Sequence, residues 1–229
     1  MSEHQIVVIG LGGVGSILIE RLARFLNYSR DISCKILLLD GDTYELKNYS
    51  RQEFSEIGSK AEIKEVELQM KYPRLRFMSE NVYITEANIG NYIKEGNIIF
   101  VCVDNHKSRK IISNYCKNLK NVTVFSGGNE FEDGNVQIYV RRDGVDLTPD
   151  LCAYHPEIQN PEDKLPTEMT CEELANSEPQ LYFTNLGVAT IMCWAFYNVI
   201  IRQKILRSEI YFDITTMTSD AKTRVLKKE

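Results

Sequence analysis

The chain has 229 residues, 43% of them hydrophobic, enough to bury one substantial core in a single domain. Its net charge of -5 at pH 7 and pI near 5.4 give no general attraction for phosphate backbones, so nucleic acid is not an expected partner. The longest apolar run near the N-terminus, residues 6–9, is too short for a signal-peptide core or a membrane span, and the six cysteines show no CxxC pair, so a cytoplasmic chain with reduced thiols and no local four-cysteine zinc site is expected.

Residues 5–9 read as a buried strand that passes through a glycine-rich turn into an amphipathic helix over 14–26, with Ile17, Leu18, Leu22 and Phe25 inward. Residues 35–39 form a second apolar run ending at Asp40, as a parallel strand covered on both faces would. A helix over 60–71 stops before Pro73, and a strand over 78–84 follows. Residues 98–103 read as a buried strand ending at Asp104-Asn105, residues 108–118 as a helix and 122–125 as a short strand. Gly127-Gly128-Asn129 marks a turn, and residues 136–140 alternate like a strand with one wet face. Five prolines, at 149, 156, 161, 166 and 179, break the polar stretch over 143–180 into a long crossover loop. Residues 181–206 then read as one long apolar core helix, 209–214 as a final strand and 222–229 as a charged, frayed tail. The α/β class follows: a Rossmann-like mixed sheet, parallel in its N-terminal part and antiparallel in its C-terminal part, flanked by helices.

Gly10-Leu11-Gly12-Gly13-Val14-Gly15 places glycines where a strand turns sharply into a helix, so that backbone N–H groups and the helix N-terminus can face phosphate. Asp40, at the end of the next strand, suits a carboxylate that accepts hydrogen bonds from ribose hydroxyls. These two features indicate a nucleotide site and fit NAD as well as ATP. The cluster Asp40-Gly41-Asp42 followed by Asn48-Tyr49-Ser50-Arg51-Gln52 favours ATP, because a redox Rossmann domain has no need of it.

With that cluster the chain resembles the ThiF/MoeB/ubiquitin-activating superfamily, and in particular its compact bacterial ThiF-like members. The resemblance covers about the first 130 residues. It implies that Asp40 holds the ribose, that Asp42 belongs to the nucleotide site, that Asn48, Arg51 and Gln52 border the ATP phosphates with Arg51 as the clamp, and that a lysine at the start of the next helix neutralises phosphate charge. Gly58-Ser59-Lys60-Ala61 supplies Lys60 for that role, with Lys64 as the alternative. Asp104-Asn105, shortly before Arg109, resembles the family's Asp-Asn-x-x-x-Arg element, and Asp104 is the implied Mg²⁺ ligand, an oxygen donor at a strand's C-terminal edge. Arg109 reads as a brace for the loop.

The reaction implied is adenylation of the C-terminal carboxylate of a ubiquitin-like or sulfur-carrier protein ending in glycine. A cysteine of the crossover loop would then take the acyl group as a thioester. Cys171 is the candidate nucleophile and Cys152, near His155, its rival, while Cys102 and Cys193 lie on apolar elements and read as core. A homodimer and a conjugating enzyme are partners that the resemblance implies. Two other readings stand beside it: a noncatalytic nucleotide-fold scaffold that binds a protein partner and, ranked last, an NAD-dependent oxidoreductase, for which no hydride-transfer residues are recognisable.

Overall fold

A computed structural model of the chain describes residues 4–29, 32–50, 52–169 and 180–226. In chain order, β1 (His4–Ile9) leads into α1 (Gly13–Tyr28), then β2 (Cys34–Leu39), the short paired strands β3 (Thr43–Tyr44) and β4 (Gly58–Ser59), and α2 (Lys60–Lys71). β5 (Arg76–Glu80), the single turn α3 (Ile89–Tyr92), β6 (Ile98–Val101), α4 (His106–Cys116) and β7 (Val122–Asn129) follow. The C-terminal part holds β8 (Asp133–Arg142), β9 (Val145–Asp146), the turn α5 (Pro156–Gln159), α6 (Tyr182–Phe196), β10 (Glu209–Asp213) and β11 (Thr218–Lys222).

One sheet runs in the order β11-β10-β8-β7-β6-β1-β2-β5, with β9 paired to β8. From β5 to β7 every pair is parallel, and from β7 to β11 every pair is antiparallel. Each face buries its own core because side chains alternate along a strand. Ile6, Val8, Ile36, Leu38 and Phe100 join α1, α2 and α6 on one side. Val7, Ile9, Leu37, Leu39, Ile99 and Val101 join α3, α4 and the crossover residues Leu151, Ile158 and Leu165 on the other. The chain moves outward from β1 through β2 to β5, then returns to β6 on the opposite side of β1, so the strand order reverses between β1 and β6. Open α/β sheets bind ligands at the carboxyl ends of strands at such a reversal.

Six expectations are corrected. Gly127-Gly128-Asn129 is not a turn but the end of β7. A Cβ on Gly127 would lie 2.5 Å from a Val188 methyl and 2.7 Å from the Met192 sulfur, so glycine there admits the close approach of α6. Residues 136–140 have no wet face: all are buried, by α6 on one side and by the crossover segment on the other. The strand expected over 78–84 ends at Glu80. The helix expected to reach 206 stays α-helical to Phe196, passes through a π-turn over Tyr197–Ile201 and stops where Gln203 adopts φ of 53°. Lys222 belongs to β11, a polar edge strand whose sequence carries no apolar alternation and so gives no strand signal.

Phe25 is also partly exposed rather than inward, with its ring edge-on to Phe196 and Tyr197. By length and composition alone, Tyr182–Ile201 is apolar enough to cross a membrane. Its Val188, Met192 and Phe196 are nonetheless packed into the first core, as a core helix requires.

Candidate active site

β1 and β6 end side by side, with Ile9 paired to Val101, and α1 starts from the turn between them. Gly10 holds φ of 89°, and a Cβ there would lie 2.8 Å from the Cys102 carbonyl oxygen. A Cβ on Gly15 would lie 1.9 Å from the Gly10 carbonyl oxygen, so these two glycines allow strand and helix to meet. Gly13 faces α6, where a Cβ would strike the Asn185 amide at 2.1 Å. Gly12 alone has room, its nearest neighbour being Gln52 Nε2 at 3.7 Å from a Cβ position. Gly12 is the N-cap of α1 and brings no side-chain cap, and no acidic residue stands in the first turn. Ser16 N closes the first turn on Gly12 O, which leaves the N–H groups of Gly13, Val14 and Gly15 without helical acceptors.

At the end of β2 the buried Asp40 carboxylate accepts hydrogen bonds from Leu11 N and, at 2.7 Å, from Asp42 N. Burial pushes the Asp40 carboxyl up to about 6 against the pull of the Lys60 ammonium. The β3–β4 pair brings the start of α2 to this point, with Lys60 N on Asp42 O at 3.1 Å and Lys60 Nζ on Asp42 Oδ2 at 2.9 Å. Lys64 stands one turn further along α2 and is engaged elsewhere. Its ammonium donates to Glu53 O at 2.9 Å and to Glu67 Oε2 at 2.5 Å, and lies 4.4 Å from the centre of the Phe54 ring. Of the two lysines the fold therefore brings Lys60 to Asp40.

Sequence reasoning missed Tyr83. Its hydroxyl donates to Asp42 Oδ1, its ring packs on Gly41, and burial together with that hydrogen bond raises the phenol above its ordinary range. Reading the strand through to residue 84 placed this tyrosine inside β5, whereas the strand stops at Glu80 and frees it for the sheet edge.

A 3₁₀ turn over Leu46–Asn48 leads into the Asn48-to-Gln52 motif beside α1. Asn48 Oδ1 accepts from Glu45 N at 3.0 Å, and Asn48 O accepts from Gln52 N at 3.0 Å. The buried Gln52 side chain thereby faces Gly12, and its Oε1 has no partner among the described residues. Arg51 lies outside the described residues.

Asp104 follows β6 on the same edge. It is exposed, and its carboxylate makes no hydrogen bond or ion pair among the described residues. Asn105 caps α4, its Oδ1 accepting from Ser108 N at 2.7 Å, so its side-chain oxygen serves the helix. Arg109 braces the loop: Nη2 donates to Val103 O and Gly127 O, each at 2.7 Å, and Nη1 donates to Ser126 Oγ at 3.2 Å. Asp163 of the crossover segment, also unforeseen, accepts from His106 N and Lys107 N, while Lys107 Nζ pairs with Glu168. The crossover is thus fastened beside Asp104.

Cys152 lies elsewhere. It packs on the second core near Ser113, about 10 Å along α4 from the helix start at 1.5 Å per residue. Burial raises its thiol, and its neighbour His155 turns away to Glu157 Oε1 at 2.7 Å and Glu209 Oε1 at 3.2 Å. The fold does not bring Cys152 to the sheet edge that carries Asp104. Cys102 and Cys193 are largely enclosed, pushed by burial to about 12 and about 11. Cys171 lies outside the described residues.

The donor set suits a hard cation completed by other ligands. Among the described residues no three His, Cys, Asp or Glu side chains converge as a metal cage, and Asp104 offers oxygens as Mg²⁺ takes them, with phosphate and water supplying the rest.

The chain is 33% identical over 152 residues to ubiquitin-like modifier-activating enzyme 5 of Xenopus laevis, covering 58% of this chain and 36% of that protein. It is 30% identical over 155 residues to the Dictyostelium discoideum enzyme of the same name, covering 59% and 38%. It thus matches little more than a third of the length of these curated relatives. Escherichia coli MccB solved with ATP superposes with a TM-score of 0.73 at 17% identity, over 96% of this chain and 63% of that one. PaaA superposes at 0.71 and 16% identity, over 96% and 64%. At such identities the likeness speaks for the fold, a Rossmann-like mixed sheet. Residues 1–227 match the ThiF family, and with a glycine turn, an aspartate-ended β2 and an Asp-Asn element gathered on one sheet edge, the chain belongs to that family.

Proposed function

We propose that this chain binds ATP with Mg²⁺ in the cytoplasm and activates the C-terminal carboxylate of a ubiquitin-like or sulfur-carrier protein as an acyl-adenylate. The observation that carries the reading is the uncapped start of α1, with Gln52 Nε2 directed at Gly12 and with Asp40, Lys60 and the exposed Asp104 on the same edge. Sequence similarity to ubiquitin-like modifier-activating enzyme 5 supports such a partner. Fold similarity to MccB, solved with ATP and with MccA, supports the nucleotide and also allows a different kind of partner.

In this reading a carboxylate oxygen of the carrier attacks the α-phosphorus, the bond to the bridging oxygen of the β-phosphate breaks, and pyrophosphate leaves with the electron pair. Asp40 accepts from ribose hydroxyls, with Asp42 beside it. The free N–H groups of α1, together with Asn48, Arg51 and Gln52, meet the phosphates. Lys60 gives up Asp42 for the charge that builds on the departing oxygens. Asp104 would hold Mg²⁺, which when bound neutralises phosphate charge. The Cys171 thiolate then attacks the acyl carbon, forming a thioester and releasing AMP, before transfer to a conjugating enzyme or a sulfur acceptor. The face that exposes Phe25, Tyr197 and Trp194, the last at 61%, supports assembly as a homodimer.

Calorimetric titration with ATP plus Mg²⁺ and with NAD, on the wild type and Arg51→Ala, tests the site. ATP binding that is lost in the variant, with no NAD binding, is expected. NAD binding points to an oxidoreductase, and binding of neither points to a scaffold. With a carrier in hand, Asp104→Ala is expected to lower ATP–pyrophosphate exchange by about 100-fold or more, and Cys171→Ala to spare exchange while removing the thioester. Exchange that survives Asp104→Ala overturns the metal assignment.

A further inference from the structure

Two buried amides face the first turn of α1, each with an oxygen that has no partner among the described residues: Gln52 and Asn185. Gln52 belongs to the motif beside α1. Asn185 comes from α6, far along the chain, and is fully buried. Its carboxamide lies on Gly13, where a Cβ would stand 2.1 Å from Nδ2. The contact is held in place because Thr184 Oγ1 donates to Phe131 O at 2.7 Å and ties the start of α6 to the β7–β8 hairpin.

The two hydrogens of Asn185 Nδ2 find one acceptor among the described residues, Gln180 Oε1 at 3.4 Å. A side chain whose task was packing would be apolar here, as Val188 and Met192 are one and two turns further along. Fully buried amides left short of partners are uncommon: here Oδ1 has none among the described residues and Nδ2 keeps a second hydrogen to give, and it is Nδ2 that lies against Gly13, at the start of α1 where helix N–H groups have no helical acceptor.

We infer that Asn185 is a binding residue of this site: its Nδ2 donates to a phosphate oxygen of a nucleoside triphosphate seated on the start of α1. The inference rests on the ATP reading above and adds α6 to the site. It also accounts for Gly13, because any side chain there would displace the amide.

Binding of ATP plus Mg²⁺ and of adenosine is measured by calorimetry in the wild type, Asn185→Ala and Asn185→Asp, with thermal unfolding of each. ATP affinity is expected to fall about tenfold in Asn185→Ala, and further in Asn185→Asp, which keeps the shape but replaces the donor with a negative charge. Adenosine affinity is expected to stay within about twofold, since it lacks the phosphates that the amide would bind. A packing role predicts the opposite order, with the isosteric aspartate milder than alanine and both ligands affected alike, and that result overturns the inference. If Asn185→Asp does not fold, the ratio of ATP to adenosine affinity in Asn185→Ala decides, and an unchanged ratio overturns it. A wild type that binds no ATP refutes the functional reading itself, a result distinct from ATP binding that ignores Asn185.

Discussion

Helices α1 and α4 both start from the C-terminal edge of the sheet, one after β1 and the other after β6, and they differ in what the chain does with their N–H groups. Every helix start leaves donors unpaired and carries a partial positive charge. At α4 the donors are taken: Asn105 Oδ1 accepts from Ser108 N, and Asp163 accepts from His106 N and Lys107 N. At α1 the N-cap is a glycine, no side chain caps, and no acid stands in the first turn. Where this edge could receive an anion therefore depends on which helix start the chain leaves uncapped, more than on the helices themselves. α4 is left to hold the loop that presents Asp104.

The comparison breaks most sharply at two glycines three residues apart. Gly15→Ala would force a methyl group to within 1.9 Å of the Gly10 carbonyl oxygen, and backbone cannot yield as a side chain can. A loss of about 3 kcal/mol or more is expected, visible in urea or thermal unfolding. Gly12→Ala meets only Gln52 Nε2 at 3.7 Å, so Tm is expected to move by no more than about 2–4 °C. The added methyl group lies where phosphate would approach, and Mg²⁺-ATP affinity is expected to fall at least about tenfold. If Gly12→Ala binds ATP as the wild type does, the start of α1 is not the phosphate site.

Asp40 gives the next effect, read through pH. Its carboxyl is raised by burial to about 6, and hydrogen bonds from ribose hydroxyls favour the ionised form, so a bound nucleotide lowers it. Free protein below about pH 6 carries the proton and must release it on binding. Affinity is therefore expected to be level above that pH and to weaken up to about tenfold per unit below it. Adenosine, which has no phosphate to titrate, is the suitable probe, and Asp40→Asn should flatten the profile. Because the folded value lies above the unfolded one, the same group favours folding most fully below about pH 4, and that contribution is lost as pH rises through about 6. The Tm difference between Asp40→Asn and the wild type should shift in favour of the variant over that window. A difference that does not change with pH would show that Asp40 is not raised.

Most of this edge was legible in sequence because its chemistry sits at strand ends, where apolar runs stop abruptly: Gly10 after β1, Asp40 after β2, Asp104 shortly after β6. Helix α2 was legible to the residue, bounded by a serine cap and a proline. What was not legible depends on contacts between distant segments. Gly127 reads as a turn glycine until α6 is seen packed against it, and residues 136–140 read as half-wet until the crossover covers them. Tyr83 was hidden by a strand boundary set four residues too late, and Asp163 and Asn185 carry no local motif at all. That Lys60 rather than Lys64 meets Asp42 turns on the β3–β4 pair, two residues a side, too short to leave a periodic signal.

The smallest effect tests the closed half of the comparison. Asp163→Ala removes the acceptor for two N–H groups of α4, a capping loss of about 1 kcal/mol, or about 2–4 °C in a chain of this length. Asp163→Asn retains one acceptor oxygen and should lose less. Mg²⁺-ATP affinity is expected to remain within about threefold in both, because the proposed phosphate site lies at α1 and Asn105 still caps Ser108. The opposite pattern, Tm unchanged and ATP binding lost, would mean that Asp163 does more at this edge than close a helix. The distinction between an open α1 and a closed α4 would then no longer account for where the anion binds.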